Sequence, residues 1–488
     1  MSMTYKHAQR ISSATPPPSG RKPTLNVAPR QINGLLRQLE TYHELYSPLF
    51  QRQEQRDWAL KYMQGQMLDL ERKSIEPMAC ALEGGSVQAM QQFTSASPWQ
   101  DAVIIRTHQR EVGKTLGRKD GVIIADGCDF PKQGDNSVGI AYQHCGALGK
   151  TANCQAGAFL AYASELGHTL LDRRLYMPNH WFSTEYAARR NECDVPEELR
   201  FQTKNELVWA MLEPLLAEAI LPFEWIAFDE AFGRDTKLLD KIHHQGKSYF
   251  AEIPCDTLAW RQRPKVQPPK VYSGLGRPAT RPRVAAGAPT PQRIDDLAQM
   301  LDARHWRRVI VHEGTKGPVV VEVAVLRVVF SENGLPARPE WVMIRRQSSQ
   351  QPRAKWKFFR SNAPKKTSWE KLAEMTAWRW PIESTFEECK TELGMDHYEV
   401  RNWRGWHHHM TMTMLSHHFL VRTRVEMGDD APALTVSQAR HLLNVTLPKR
   451  EFDAQAMLEE IQRTQRQNYA AYRSHRKRRR KQKLAKPT

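Results

Sequence analysis

Apolar residues recur every three or four positions along the first quarter of the chain. Two segments show this spacing, LLRQLETYHELYSPLF and WALKYMQGQMLDLERKSIEPMACALEG. Such spacing is typical of amphipathic helices that pack together, and it predicts a helical unit over residues 31–118. The polar, proline-rich residues 1–30 before it predict a disordered N-terminus.

The pattern changes to short apolar runs near residue 119. Two of them, VIIA and WIAF, are each followed by an aspartate, Asp126 and Asp229. Further strands are predicted in CQAGAFLAYAS, HTLLDRRLYMP and KSYFAEIP, and helices in NELVWAMLEPLLAEAI and RDTKLLDKIHHQG. This order predicts an α/β unit over residues 119–260, a mixed sheet flanked by helices in which each aspartate ends a buried strand.

The segment 261–367 has a different composition. Seven prolines interrupt residues 261–292, which predicts an irregular linker. The runs WRRVIVHE, PVVVEVAVLRVVF and WVMIRRQ then predict strands, so the segment reads as a linker followed by a β-rich insertion. Helical spacing returns in a second core part over 368–445, and residues 446–488 predict a C-terminal helix and a disordered basic tail.

The charge of the chain points to a polyanionic partner. Lys and Arg number 71 against 53 Asp and Glu, which gives a formal net charge of +18. Such an excess favours nucleic acid, because each cation placed on a phosphate releases counterions. The helical unit 31–118 is then interpreted as a DNA-binding domain, with a plain helical bundle as the alternative. The seven scattered cysteines and the absence of a long apolar run in the sequence predict a cytoplasmic protein without membrane contact.

A third carboxylate stands in the segment AWRWPIESTFEECKTELG. Pro381 suits the first turn of a helix. Arg379, Glu383 and Lys390 follow one another at offsets of four and seven, with Glu387 between them on the same face. Taken singly, each acid has an ordinary explanation, a turn-forming Asp or an exposed Glu–Lys face. Taken together, three carboxylates flanked by cations suit a metal site that acts on phosphate.

The same residues carry a family resemblance. The helix resembles the Y-x2-R-x3-E-x6-K signature of DDE-type insertion-sequence transposases, with Arg379, Glu383 and Lys390 on R, E and K and Thr376 in the place of Tyr. DGCDFPKQGDNSVGIAYQHCGALGKTANCQ is similar to the first-aspartate region of the insertion-sequence 701 family, related to the insertion-sequence 4 group. FDEAFGRD resembles the second-aspartate motif, and LGMDHYEVRNWRGWHHHMTMTMLSHHFL resembles the segment after the catalytic helix.

The resemblance implies a ribonuclease H-like fold and a DNA transposase that cuts element ends and joins them to target DNA. Asp126, Asp229 and Glu383 are then the catalytic residues and the ligands of two Mg²⁺ ions, for which Mn²⁺ is a substitute. Three carboxylates without a metal are expected to be poorly ordered or partly protonated. The surroundings of Asp126 depart most from those of the family. Asp129, three residues further on, is therefore the alternative candidate for the first catalytic aspartate.

The DNA-contacting residues implied by the resemblance are Arg379, Lys390 and Lys132. Related enzymes use a β insertion to hold a hairpin or a flipped base, often with an aromatic residue, and Trp306 and Trp341 are the candidates here.

The expected partners are double-stranded DNA, as terminal inverted repeats and as target, and a second copy of the chain in a DNA-bound homodimer. The expected location is the nucleoid of a bacterial cytoplasm. Two alternatives stay open: a nuclease on the same fold, which cuts without joining, and a catalytically dormant DNA-binding regulator. The histidines between 407 and 418 favour a structural or DNA-contacting helix over a zinc site.

Overall fold

Twelve strands form one mixed sheet through the part of the chain that the structure, a computed structural model, describes: residues 25–269, 280–314, 317–348, 352, 355–451 and 453–484. The strands are β1 (Val122–Pro131), β2 (Ala141–Cys145), β3 (Lys150–Ser164), β4 (Gly167–Tyr176), β5 (Trp225–Phe228), β6 (Ser248–Ile253), β7 (Leu258–Trp260), β8 (Val266–Gln267), β9 (Arg283–Val284), β10 (Gln292–Arg293), β11 (Trp306–Gly314), β12 (Gly317–Glu332), β13 (Leu335–Arg346) and β14 (Lys357–Ser361). Strands β8 and β9 pair with each other outside this sheet, within the predicted linker.

Helices cover the sheet. They are α1 (Pro29–Asn33), α2 (Leu35–Glu44), α3 (Gln53–Met67), α4 (Ile75–Ala81), α5 (Val87–Gln91), α6 (Asp101–Leu116), α7 (Ala187–Glu192), α8 (Lys204–Glu218), α9 (Glu230–Gly233), α10 (Thr236–His244), α11 (Ile294–Gln299), α12 (Trp369–Met375), α13 (Trp380–Leu393), α14 (Trp403–Glu426), α15 (Val436–Thr446) and α16 (Ala454–Leu484). Among the described residues, no helix is both long and apolar enough to cross a membrane.

The centre of the sheet combines antiparallel and parallel pairs. β3 pairs antiparallel with β1, β2 and β4, whereas β1, β5 and β6 run parallel to one another. Parallel neighbours are buried on both faces, which is why β5 and β6 are apolar almost throughout. The predicted mixed sheet with flanking helices is confirmed, and it is consistent with a ribonuclease H-like fold.

The β-rich insertion extends this sheet instead of forming a separate body. β14 pairs antiparallel with β6, β13 pairs with β14, and β12 pairs with β13. The edge of β6 is thereby covered, so its backbone groups are hydrogen-bonded. As a consequence, side chains of the insertion lie at the edge of the central sheet beside β6.

The N-terminal helices share a hydrophobic core with the sheet. Helix α14 packs between them, and all its histidines are buried. Tyr62 Oη lies 2.7 Å from Nδ1 of His409, and Tyr42 Oη lies 3.0 Å from Nδ1 of His418. The ring of His408 stacks on Trp99 at 3.5 Å between centroids. The His-rich segment is therefore structural, and the helices of residues 31–118 form no independent unit.

Both predicted disordered ends need correction. Residues 1–24 lie outside the described part of the chain, but residues 25–30 are ordered: the Asn26 N–H donates to the Asp430 carbonyl at 2.8 Å, and helix α1 begins at Pro29. At the other end, the basic run is helical as far as Leu484, because Arg, Lys and Gln are good helix formers.

Candidate active site

Asp126 lies within β1, not at its end as the apolar run predicted. β1 pairs in parallel with β5 only from Val122 to Ala125, so Asp126 is the first residue beyond that pairing. The strand continues because β3 stays paired with it as far as Pro131. The Asp126 side chain is 14% exposed, and it lies just beyond the last residue of the neighbouring strand β5.

Asp229 follows the end of β5 and begins helix α9. Its Oδ1 accepts a hydrogen bond from the Phe232 N–H at 3.0 Å, which makes it the N-cap. Burial raises the pKa of Asp229, and the Phe232 N–H and the charge of Arg379 partly offset that rise. Asp126 is the first residue beyond the parallel pairing of β1 with β5, and Asp229 follows the end of β5, so both lie at the edge where open α/β sheets bind ligands.

Glu383 lies in the first turn of α13, which begins at Trp380 with Pro381 in its first turn, as predicted. Arg379 is the residue just before the helix, and its Nη2 donates to Glu383 across one turn. The Glu383 side chain is 52% exposed, so it faces solvent more than either aspartate does.

Arg379 connects carboxylates from three different elements. Its Nη1 lies 3.3 Å from Oδ2 of Asp126, its Nη2 contacts Glu383, and its Nε lies 3.7 Å from Oε2 of Glu252. Burial acts to lower the pKa of Arg379, but the charges of Glu383, Asp126, Glu252 and Asp229 outweigh it and raise that pKa. Arg379 is thus the internal counter-ion of the carboxylate cluster.

The pKa of Asp126 is raised to about 7. Burial is the largest cause, the charge of Asp229 adds to it, and Arg379 and the Gly127 N–H act against it. At neutral pH a large share of Asp126 is protonated, which is one of the two states expected for clustered carboxylates without a metal.

Glu252 is a member of this cluster that the sequence analysis missed. It lies on β6 with 6% of its surface exposed, and Lys357 of β14 donates to its Oε1. Its charge also raises the pKa of Asp229. The signal available in the sequence is an acidic residue inside the otherwise apolar strand SYFAEI, since a buried carboxylate requires partners.

The donor chemistry of the cluster fits a hard divalent cation, which prefers carboxylate oxygens. Asp126, Asp229 and Glu383 would supply those oxygens. In the conformation described, no three His, Cys, Asp or Glu side chains of the covered ranges converge closely enough to hold a metal ion together. Arg379 is bound to oxygens of Asp126 and Glu383, so a metal ion would compete with it for them.

The two predicted phosphate-binding lysines have different surroundings. Lys390 faces β1 from α13, with its Nζ 5.7 Å from the Phe130 ring. Burial raises the pKa of the nearby Cys128 thiol, and the charge of Lys390 partly offsets that rise. Lys132 instead donates to the Tyr398 carbonyl at 3.0 Å and lies over the Tyr398 ring, and burial lowers its pKa to about 8. Lys390 therefore lies against β1 near Cys128 and Phe130, two helical turns along α13 from Glu383, whereas Lys132 is bonded to the backbone at Tyr398.

The predicted aromatic residues lie on the insertion but not beside Glu383. The guanidinium of Arg346 lies 3.7 Å from the centre of the Trp306 ring, and that of Arg327 lies 4.9 Å from the Trp341 ring. Trp341 Nε1 also donates to the Pro364 carbonyl at 3.3 Å. The cavity that Glu383 lines has Trp380 and Phe359 as its aromatic residues.

Asp129 is a poor substitute for Asp126. Side chains alternate between the faces of a strand, so Asp129 projects from the opposite face of β1. Its Oδ2 accepts from the Gly146 N–H at 2.7 Å. The pattern of β1 therefore leaves Asp126 as the acidic residue on the face that α13 covers.

Comparison with known proteins agrees with this geometry. A sequence profile described as DDE superfamily endonuclease matches residues 45–318, more than half of the chain. The chain belongs to the DDE superfamily endonucleases. The matched range contains Asp126 and Asp229 and stops before Glu383, which the contacts of Arg379 connect to Asp126. No curated protein matches the chain. Membership makes this DDE endonuclease a nuclease-type enzyme, in a family that generally uses divalent metal ions.

Proposed function

We propose that this DDE endonuclease is the DNA transposase of an insertion sequence, which cuts the ends of its element and joins them to target DNA. The observation that carries the proposal is the Arg379 cluster. It joins Asp126 of β1 to Glu383 of α13, with Asp229 close enough to raise the Asp126 pKa. The spacing of Arg379, Glu383 and Lys390 along α13 supports transposition in particular.

In this proposal, Asp126, Asp229 and Glu383 would hold two Mg²⁺ ions, which would supply charge stabilisation for cleavage and joining of the phosphodiester. The protein's own residues position the DNA. Arg379 and Lys390 flank the carboxylates on one helix, where guanidinium and ammonium groups bind phosphate oxygens. The burial of Asp126 keeps its carboxylate in a fixed place between β5 and α13.

The partners are double-stranded DNA and, on that DNA, a second copy of the chain. The formal net charge of +18 supports a polyanionic partner. The C-terminal helix α16 carries the basic run of the sequence, in which seven of the eight residues from 476 to 483 are Lys or Arg. The proposed location is the bacterial nucleoid.

The test is incubation of the purified protein with the DNA that flanks its gene and Mg²⁺, followed by separation of cleavage and joining products. Asp126→Asn, Asp229→Asn and Glu383→Gln are expected to abolish both products, whereas the matched variant Asp129→Asn retains them. DNA binding should survive in all four, because Lys and Arg carry it. Cleavage without joining would establish the nuclease instead, and DNA binding without either product would establish the dormant regulator.

A further inference from the structure

A cavity of about 280 Å³ lies between the insertion strands β13 and β14 and the start of helix α13. It adjoins Glu383, so a molecule in it would be next to the proposed reaction centre. Its charged and aromatic lining includes Glu252, Arg345, Lys357, Phe359, Arg379 and Glu383.

Among the described residues, Arg345 is the cation of this lining that forms no ion pair with a carboxylate. Glu252 binds both Lys357 and Arg379, and Arg379 also binds Glu383. Arg345 donates to the Thr376 carbonyl at 2.5 Å and lies 5.5 Å from the Phe359 ring, and no ion pair to it forms within the ranges the structure covers. Burial lowers the pKa of its guanidinium, and the charge of Glu252 opposes that effect. A guanidinium buried in this way would be stabilised by an anion.

Thr376 holds Arg345 at the cavity. It occupies the signature position where the resembling transposases have Tyr, and it is 2% exposed. Its hydroxyl donates to the Ala373 carbonyl at 2.7 Å, so it is bonded back into its own helix. Its carbonyl accepts from Arg345 and fixes the guanidinium at the cavity.

We propose that this cavity binds a DNA phosphodiester next to the one that is cut, with Arg345 as its main ligand. The inference rests on the proposed function for the identity of the DNA. A guanidinium offers paired N–H donors that match phosphate oxygens, and the walls formed by Phe359 and Trp380 suit the apolar face of a sugar.

The experiment measures the affinity of the full-length protein for a duplex of the flanking DNA, without divalent metal, over a series of salt concentrations. Arg345→Gln is expected to weaken binding about tenfold. It should also reduce the slope of log affinity against log salt by about 0.9 per protomer, the value for one lost phosphate contact. Arg345→Lys should restore the slope but only part of the affinity, because the paired donors are lost.

The matched control is Arg304→Gln, which removes the same charge from an insertion residue that is 81% exposed and paired with Asp302. It should leave the slope unchanged. Equal slopes for Arg345→Gln and the wild type, or equal losses in both Gln variants, would overturn the site. Should Arg345→Gln fail to fold, Arg345→Lys decides: weaker binding at unchanged slope supports the site, and wild-type affinity refutes it.

The two proposals fail separately. A wild-type protein that cuts flanking DNA in Mg²⁺, together with an unchanged slope for Arg345→Gln, refutes only the phosphate site. A reduced slope in a protein that never cuts supports the phosphate site and refutes the transposase.

Discussion

Nη1 of Arg379 lies 3.3 Å from Oδ2 of Asp126, and this contact links the catalytic helix to the central strand. The same guanidinium binds Glu383 one helical turn away. In the absence of DNA, the positive charge of Arg379 is therefore already paired with the carboxylates of the cluster. A metal ion would compete with Arg379 for the carboxylate oxygens. A DNA phosphate would compete with those carboxylates for Arg379.

Replacing Arg379 with Gln should raise the affinity of the DNA-free protein for Mn²⁺ by about tenfold, equivalent to about 1.4 kcal/mol. The reason is that the competing cation is gone and the carboxylates repel one another more strongly. Titration of Mn²⁺ followed by electron paramagnetic resonance measures the affinity directly. Cleavage should fall in the same variant, because the proposed function also assigns a DNA phosphate contact to Arg379. Mn²⁺ affinity equal to that of the wild type would show that Arg379 does not compete with metal.

Asp126 should make the metal-free fold less stable as the pH rises from about 4 to about 7. Its folded pKa of about 7 exceeds its unfolded value of about 3.9, so the folded state holds a proton that the unfolded state has released. The full difference corresponds to roughly 4 kcal/mol. Melting temperatures in EDTA between pH 5 and 8 test this, with Asp126→Asn as the variant that loses the contribution. A wild type and variant with parallel pH profiles would contradict the raised pKa.

The buried histidines should make the fold less stable as the pH falls below about 6.5, whereas Asp126 makes it less stable as the pH rises. Burial is the largest cause of the lowered pKa in each case. The pKa values fall to about 4 for His43, His108, His168, His408 and His409 and to about 3 for His407.

In the unfolded state these histidines bind protons near pH 6.5, whereas in the folded state they stay neutral at that pH. Their contribution to the free energy of unfolding is therefore fully present above about pH 6.5 and is lost as the pH falls towards about 4. Each histidine contributes at most about 1.4 kcal/mol per pH unit. His409→Gln should therefore have a shallower acid profile of melting temperature than the wild type, while the exposed His144→Gln keeps the wild-type profile. Identical profiles in both variants would be evidence against this origin of acid sensitivity.

Replacing Glu252 with Gln should lower stability by about 2 kcal/mol, because Lys357 loses the carboxylate that it binds and Arg379 loses one of its three. Cleavage should also fall, since Arg379 loses the anion that orients its Nε. Thermal unfolding and the cleavage assay give the two readouts. Glu370→Gln, on the exposed pair with Arg307, is the matched control and should change neither. A Glu252→Gln protein with wild-type cleavage would remove Glu252 from the site.

Removal of residues 473–488 should weaken nonspecific DNA binding and flatten its dependence on salt. Seven of the eight residues from Arg476 to Lys483 are basic, and each phosphate contact contributes about 0.9 to the slope. The cut falls within helix α16, whose described N-terminal part is held to α4 through Arg463 and Glu76. Binding measured over a salt series gives the slope. A slope that is unchanged by the truncation would show that this helix end does not contact DNA.

Local pattern predicted most of the elements of this protein. The apolar runs identify β1 and β5, and the three- and four-residue spacing identifies α3, α8 and α13, because backbone geometry fixes which side chains share a face. The contact between Arg379 and Glu383 was equally accessible, since it spans one turn of one helix. The match to the DDE endonuclease profile likewise depends on sequence alone.

Strand pairing between distant segments decided the rest. Only the tertiary structure joins β14 to β6, and this pairing brings Arg345 and Lys357 to the edge of the sheet near Glu383 and gives Glu252 its partner Lys357. Pairing with β3 extends β1 beyond Asp126 and through Asp129, and packing against the N-terminal helices buries the histidines of α14. The sequence alone determined the elements and the acidic residues because those depend on neighbours within one or two turns. The counter-ions of those acids depend on contacts between residues far apart in the chain, which no local periodicity specifies.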